Sequence, residues 1–162
     1  MKTLIKITGL LALCILFTAC PYESSVPISA PTEKINSKMI GSWKTIKDGG
    51  EIYRISRKDD LNYMIEEFDG NNKLTNTYIA FSSTVNDKVF LNVRNEKQED
   101  RDGKFMLLKV ELIGDSLLNA DNVTQNITEQ FKSSEELKNF IAEDMKNSYF
   151  FEKEKLNLKK VK

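Results

Sequence analysis

The sequence predicts a mainly β protein: a small antiparallel up-and-down barrel with one α-helix in its C-terminal half. Three observations point there. From residue 39 to about residue 120, short runs of alternating apolar and polar residues recur, and turn-forming residues separate them. One stretch alone, Ser133 to Met145, changes to helical spacing. After it, alternation returns for a last strand at Leu156-Asn157-Leu158-Lys159-Lys160-Val161. Strands this short and closely spaced close most simply into an up-and-down barrel or a strongly curled sheet.

The first strand is expected in Met39-Ile40-Gly41-Ser42-Trp43-Lys44. Ile52–Ser56 and Asn62–Glu66 read as the next two, turned by Arg57-Lys58-Asp59-Asp60. Asp69-Gly70-Asn71-Asn72 is a strong turn, because Gly and Asn accept positive φ cheaply. A longer strand is expected from Leu74 to Val85, rich in Thr, Tyr, Ile and Phe. Asn86-Asp87-Lys88 turns the chain into Val89–Val93, and 95–103 reads as a charged loop. Phe105–Ile113 is the most apolar strand, and Gly114-Asp115 reverses it into Ser116–Ala120. Ser133 and Glu136 have the Ser-x-x-Glu spacing of a capping box, in which serine and glutamate each satisfy an orphan amide. The helix expected over about 134–146 gathers Leu137, Phe140, Ile141 and Met145 on one face.

Composition removes several chemistries. The chain of 162 residues has no histidine, two cysteines, and equal numbers of basic and acidic side chains, 24 of each. Without histidine, Ser-His-Asp and Cys-His catalysis are excluded, as is a histidine pH switch. The usual zinc and copper sets also lean on imidazole or thiolate. Balanced charge leaves no electrostatic footprint for nucleic acid. Asp59-Asp60 and Asp100-Arg101-Asp102-Gly103 lack the remaining ligands of a calcium loop, so no metal and no cofactor are expected. Glu66-Glu67 and Glu99-Asp100 are adjacent pairs, whose side chains point to opposite faces of a strand. They do not make a glycosidase-like carboxylate pair, and the chain is not expected to be an enzyme.

The first twenty residues are of another kind. Lys2 and Lys6 precede an apolar run, Ile7–Phe17. It is too short to cross a bilayer, which needs roughly 20 apolar residues, but suits a cleaved secretory leader. Phe17-Thr18-Ala19-Cys20 then resembles the lipobox of bacterial lipoproteins. That resemblance implies a signal peptide over 1–19 and a Cys20 that is acylated and becomes the new N-terminus. Two or three acyl chains hold a protein on a membrane where one does so marginally. Pro21, where an aspartate would imply inner-membrane retention, implies the outer membrane and a periplasmic face. Residues 20–38, with all three prolines (Pro21, Pro27, Pro31), read as the lipidated cysteine and a flexible tether, the alternative being that Val26-Pro27-Ile28 packs on the barrel as a short extended arm. The barrel domain is then 39–162.

Gly41-Ser42-Trp43 on the first strand, followed by a meander, resembles the lipocalins and lipocalin-like envelope lipoproteins of unassigned function. In lipocalins the tryptophan packs across the closed end of the barrel, usually against an arginine of the last strand. Here the last strand offers Lys159 and Lys160, and the helix precedes that strand.

A barrel of this size holds one small ligand when side chains do not fill it. The expected function is therefore a non-catalytic binding module, lipid-anchored in the envelope, for a small apolar ligand. Trp43, Tyr53, Met64, Phe81, Leu91, Met106 and Leu108 are the residues expected to line it. The alternative is a filled barrel that binds another envelope protein, as an inhibitor, immunity or assembly protein.

Overall fold

The structure, a computed structural model, describes residues 22–46, 50–98 and 103–161. The leader expected over 1–19, Cys20, and residues 99–102 of the charged loop expected over 95–103 lie outside the described residues.

Eight strands follow one another around a closed barrel: β2 (Gly41–Thr45), β3 (Ile52–Arg57), β4 (Tyr63–Phe68), β5 (Leu74–Val85), β6 (Lys88–Asn95), β7 (Phe105–Ile113), β8 (Leu117–Asn122) and β9 (Leu156–Val161). Each pairs antiparallel with the next, and β9 returns to β2 with Trp43 opposite Lys160. A two-residue strand, β1 (Glu23–Ser24), joins the free end of β7, with Glu23 opposite Met106. The fold is the small up-and-down barrel that the alternation predicts, and it is consistent with a lipocalin-like form.

Turn chemistry sets the register. Asn86 and Asp87 have φ of 46° and 61°, giving the mirror-image turn that matches strand twist and pairs Val85 with Lys88. Asp69 Oδ1 accepts from the N–H groups of Asn71 and Lys73, both at 2.9 Å. In the β3–β4 turn, Asp59 Oδ1 accepts from Leu61 N and Asn62 N. Hydrogen bonds from Leu61 N–H, then from the Asn62 side chain, hold the Asp59 carboxyl below its ordinary range.

Alternation divides the apolar residues between two clusters. The inner one holds Trp43, Ile55, Tyr63, Ile65, Ala80, Leu91, Val93, Val110, Leu118, Ala120 and Leu158. The outer one covers β5–β7: Val85, Phe90 and Leu107 meet Leu137 and Ile141 of α1 (Ser134–Asp144), together with Tyr22, Ile28, Val123 and Phe150. The helix therefore lies on the barrel wall. Ser133 Oγ accepts from Glu136 N at 3.2 Å, as the capping spacing predicts. Glu136 Oε2 reaches one residue beyond the cap and accepts from Lys132 N at 3.0 Å.

The tether expected over 20–38 is corrected from Tyr22 onward, because this segment is a packed arm. Tyr22 is 5% exposed; its N–H donates to Val123 O and its hydroxyl to Glu129 O. Ile28 is 1% exposed, and its N–H donates to the buried Asn92 Oδ1 at 2.7 Å. Ser29 and Ser83 share a hydrogen bond of 2.6 Å, and Glu33 accepts from Thr84 N and Oγ1. The arm thus runs down the outer wall from one end of the barrel to the other. Serine and proline in the arm do not prevent docking, because the serines and backbone amides find partners on the strands.

Below, the arm turns under the barrel and closes it. A single 3₁₀ turn, Ser37–Met39, places Met39 against the inner cluster. Trp43 Nε1 donates to Met39 O at 2.8 Å, and Asn36 N donates to Tyr63 Oη at 2.6 Å. Lys160 Nζ stands 5.0 Å from the Trp43 ring centre and donates to Lys38 O. Gly41 makes room for it: its φ is +139°, and a Cβ there would fall 2.7 Å from Lys160 Cε.

Candidate functional site

At the opposite end the inner face changes character. Period two along β4 puts Glu67 on the same side as Tyr63 and Ile65, so a carboxylate enters a wall that is otherwise apolar. Its neighbours supply donors. Asn76 Nδ2 donates to Glu67 Oε2 at 2.8 Å and Tyr78 Oη donates to the same oxygen at 2.9 Å. Tyr53 Oη donates to Oε1 over a longer 3.4 Å. Asn95 Nδ2 continues the network to Asn76 Oδ1 at 3.4 Å. β3, β4, β5 and β6 each contribute, so the network ties four strands together at the mouth. Glu66, one residue back, faces outward and pairs with Arg54 at 3.7 Å.

The network has a defined protonation. Burial, and after it the Glu67 charge, pushes the hydroxyls of Tyr53 and Tyr78 well above the ordinary tyrosine range; Glu51 adds to the effect on Tyr53. Both remain donors throughout the physiological range.

Beside the network, between β2–β3 and β8–β9, the mouth opens into a cleft of about 600 Å³. That is within the range of small-ligand sites, roughly 300–1,000 Å³. Thr45, Glu51, Tyr53, Asn122, Lys155 and Leu156 border it. Tyr53 and Leu156 give it apolar surface, and the others give it hydrogen-bonding groups. Thr45 Oγ1 is shielded from water and finds no hydrogen-bond partner among the described residues. A second hollow, about 420 Å³, lies outside the barrel at the same end, where Thr124 and Asn126 face Tyr149 and Glu152. Behind it Asp121, 5% exposed, is held by Lys109 at 2.7 Å and Lys155 at 3.5 Å, with Lys109 also over the Phe151 ring.

Of the seven residues expected to line a ligand site, Tyr53 alone borders the cleft. Trp43, Leu91, Met106 and Leu108 come together in the interior: Trp43 and Leu91 are buried core, Trp43 with no exposure at all, and Met106 and Leu108 pack against them while remaining partly exposed. Met64 and Phe81 are not part of that group. Met64 lies between the inward Tyr63 and Ile65 and therefore faces outward. Phe81 is likewise turned to the outer wall, edge-on to Phe105 at 6.0 Å. Both faces of β5 are buried in its middle, one by the barrel and the other by arm and helix. Aromatic size alone therefore picks the wrong face.

Glu67 was noted in the sequence only as half of an adjacent carboxylate pair, and Asn76, Tyr78, Thr45, Asn122 and Lys155 were not singled out at all. The signal for Glu67 was present in its phase: two residues after Ile65 and four after Tyr63, on the apolar side of its strand. The cleft residues carried no such signal, because they come from strand ends that only barrel closure brings together.

Fold and mouth together define a small up-and-down barrel, closed at one end by a tryptophan and open at the other beside a polar network. No protein-family model, curated protein or solved structure matches the chain. The functional reading therefore rests on this geometry.

Proposed function

We propose that this is a lipid-anchored, non-catalytic binding module of the cell envelope, and that its ligand sits in the barrel mouth. The single observation that carries the ligand site is the cleft of about 600 Å³ beside Tyr53, where the Thr45 hydroxyl has no hydrogen-bond partner among the described residues. The border of the cleft combines apolar and hydrogen-bonding groups. This favours a small amphiphile, with its apolar part on Tyr53 and Leu156 and its polar part toward Thr45, Asn122 and Lys155. The leader and Cys20 support attachment to a membrane, in the outer membrane facing the periplasm.

Native mass spectrometry of the protein, purified gently from the cell that makes it, tests the reading. The expected result is a discrete added mass of a few hundred daltons, lost on denaturation and lost also in Leu156→Trp, which fills the cleft. A bare mass from fresh preparations would instead support the second reading, a filled barrel that binds an envelope protein. The packed inner cluster is the observation in favour of that alternative.

A further inference from the structure

The described chain begins at the cleft end of the barrel, two residues after Cys20. Tyr22 is already part of the folded body: its N–H donates to Val123 O at 3.2 Å, and the next residues pair with Phe105 and Met106. Val123 follows directly on Asn122, which borders the cleft. Phe105 and Met106 begin β7 at the mouth. Two residues of chain separate the Cα atoms of Cys20 and Tyr22, and these span at most about 7 Å. The barrel is taller than that. A nine-residue strand such as β7, tilted as in closed barrels, covers about 20–25 Å of height.

We infer that the bilayer is the surface the mouth faces: the anchor holds the barrel mouth-down, and the cleft exchanges its ligand with the lipid leaflet. This rests on the reading of Cys20 as the acylated residue. Acyl chains joined at Cys20 are too close to the mouth for the Trp43 end to reach the headgroups. Side-on docking by the helix wall would press the exposed Glu135, Lys138 and Asn139 of α1 against the membrane. Exposed apolar side chains do not choose the end, since Ile46 and Leu74 are at the mouth while Ile113 and Val161 are at the base. Chain length chooses it.

The test uses the full chain, made in a lipoprotein-processing bacterium and reconstituted in phosphatidylethanolamine–phosphatidylglycerol vesicles carrying a headgroup nitroxide. Of the chain's two cysteines, Cys14 leaves with the leader and Cys20 carries its acyl group on this reading, so one introduced thiol can be labelled with a fluorophore. Ile46→Cys marks the mouth, Ile113→Cys the base and Lys138→Cys the helix wall; all three positions are exposed, so the fold tolerates them. The mouth label is expected to be quenched several-fold more than the other two. A Gly-Ser spacer of about ten residues between Pro21 and Tyr22, reaching up to roughly 35 Å, is expected to erase the difference. Equal or stronger quenching at Ile113→Cys or Lys138→Cys, with the acyl mass present on Cys20, overturns the orientation and leaves the anchor standing. An intact mass with no acyl group overturns the anchor reading and the orientation with it.

Discussion

The two ends of the barrel are made by the same strands and differ only in what each strand contributes last. β4 gives Tyr63 to the closed end and Glu67 to the mouth. β2 gives Trp43 to one and Thr45 to the other; β5 gives Ala80 to the interior, then Tyr78 and Asn76 above it. At the closed end every polar tip is answered from within: Trp43 by Met39 O, Tyr63 by Asn36 N, Lys160 by Lys38 O. At the mouth Glu67 has its donors, but Thr45 has none among the described residues and the cleft lies open. One inward face can thus serve as core at one end and as a binding surface at the other. Sealing an end takes an aromatic lid and a strap of chain beneath it.

Substitutions at the two ends should reproduce this contrast. The largest effect is expected from Trp43→Ala, which opens a large cavity beneath the lid and should cost about 3–5 kcal/mol, read as a shift in urea midpoint. A cost of less than about 1 kcal/mol would mean that the closed end is not what holds the barrel. Next comes Tyr78→Phe at the mouth, which leaves Glu67 Oε2 with Asn76 alone and should cost about 1–2 kcal/mol.

The same network predicts a loss of stability in alkali. An unfolded tyrosine releases its proton near pH 10, whereas Tyr53 and Tyr78 in the fold hold theirs to higher pH. The stabilisation is therefore whole below about pH 10 and falls above it, where the unfolded chain has shed protons that the native chain keeps. Urea unfolding compared at neutral pH and at about pH 11 should show the fall, and Tyr78→Phe should make it shallower. If the wild type is equally stable at both, the tyrosines do not belong to the network as drawn. The smallest effect is expected from Thr45→Val. Replacing an unanswered hydroxyl by a methyl should leave stability within about 1 kcal/mol, yet weaken retention of the added mass in the native spectrum. Retention unchanged would remove Thr45 from the site.

The barrel was largely legible in the sequence where turn residues bracket a strand. Leu74–Val85, Phe105–Ile113 and Leu156–Val161 run between the very residues that the alternation marked. Ser133 likewise announced the helix. The arm was legible only as an alternative at Val26-Pro27-Ile28, because its composition is that of a linker and its two anchors, Tyr22 and Ile28, dock on Val123 and Asn92 far along the chain. The closed end was legible through Gly41 and Trp43. The mouth was less so. Glu67 could be placed by period two, but Thr45, Asn122 and Lys155 become neighbours only when β9 returns to β2, and no local pattern encodes that meeting.

That last pairing also governs timing. Val161 lies opposite Ser42, so the ring is completed by residues from the two ends of the domain. A chain emerging N-terminus first from a ribosome or an export channel has no closed barrel to form until its final strand is released. Contacts this distant in sequence are slow to find, and until then β2 is an unpaired edge open to other chains. Loss of β9 would leave an open sheet with two sticky borders, so truncation before Leu156 should end in aggregation and turnover, with little folded protein of reduced activity.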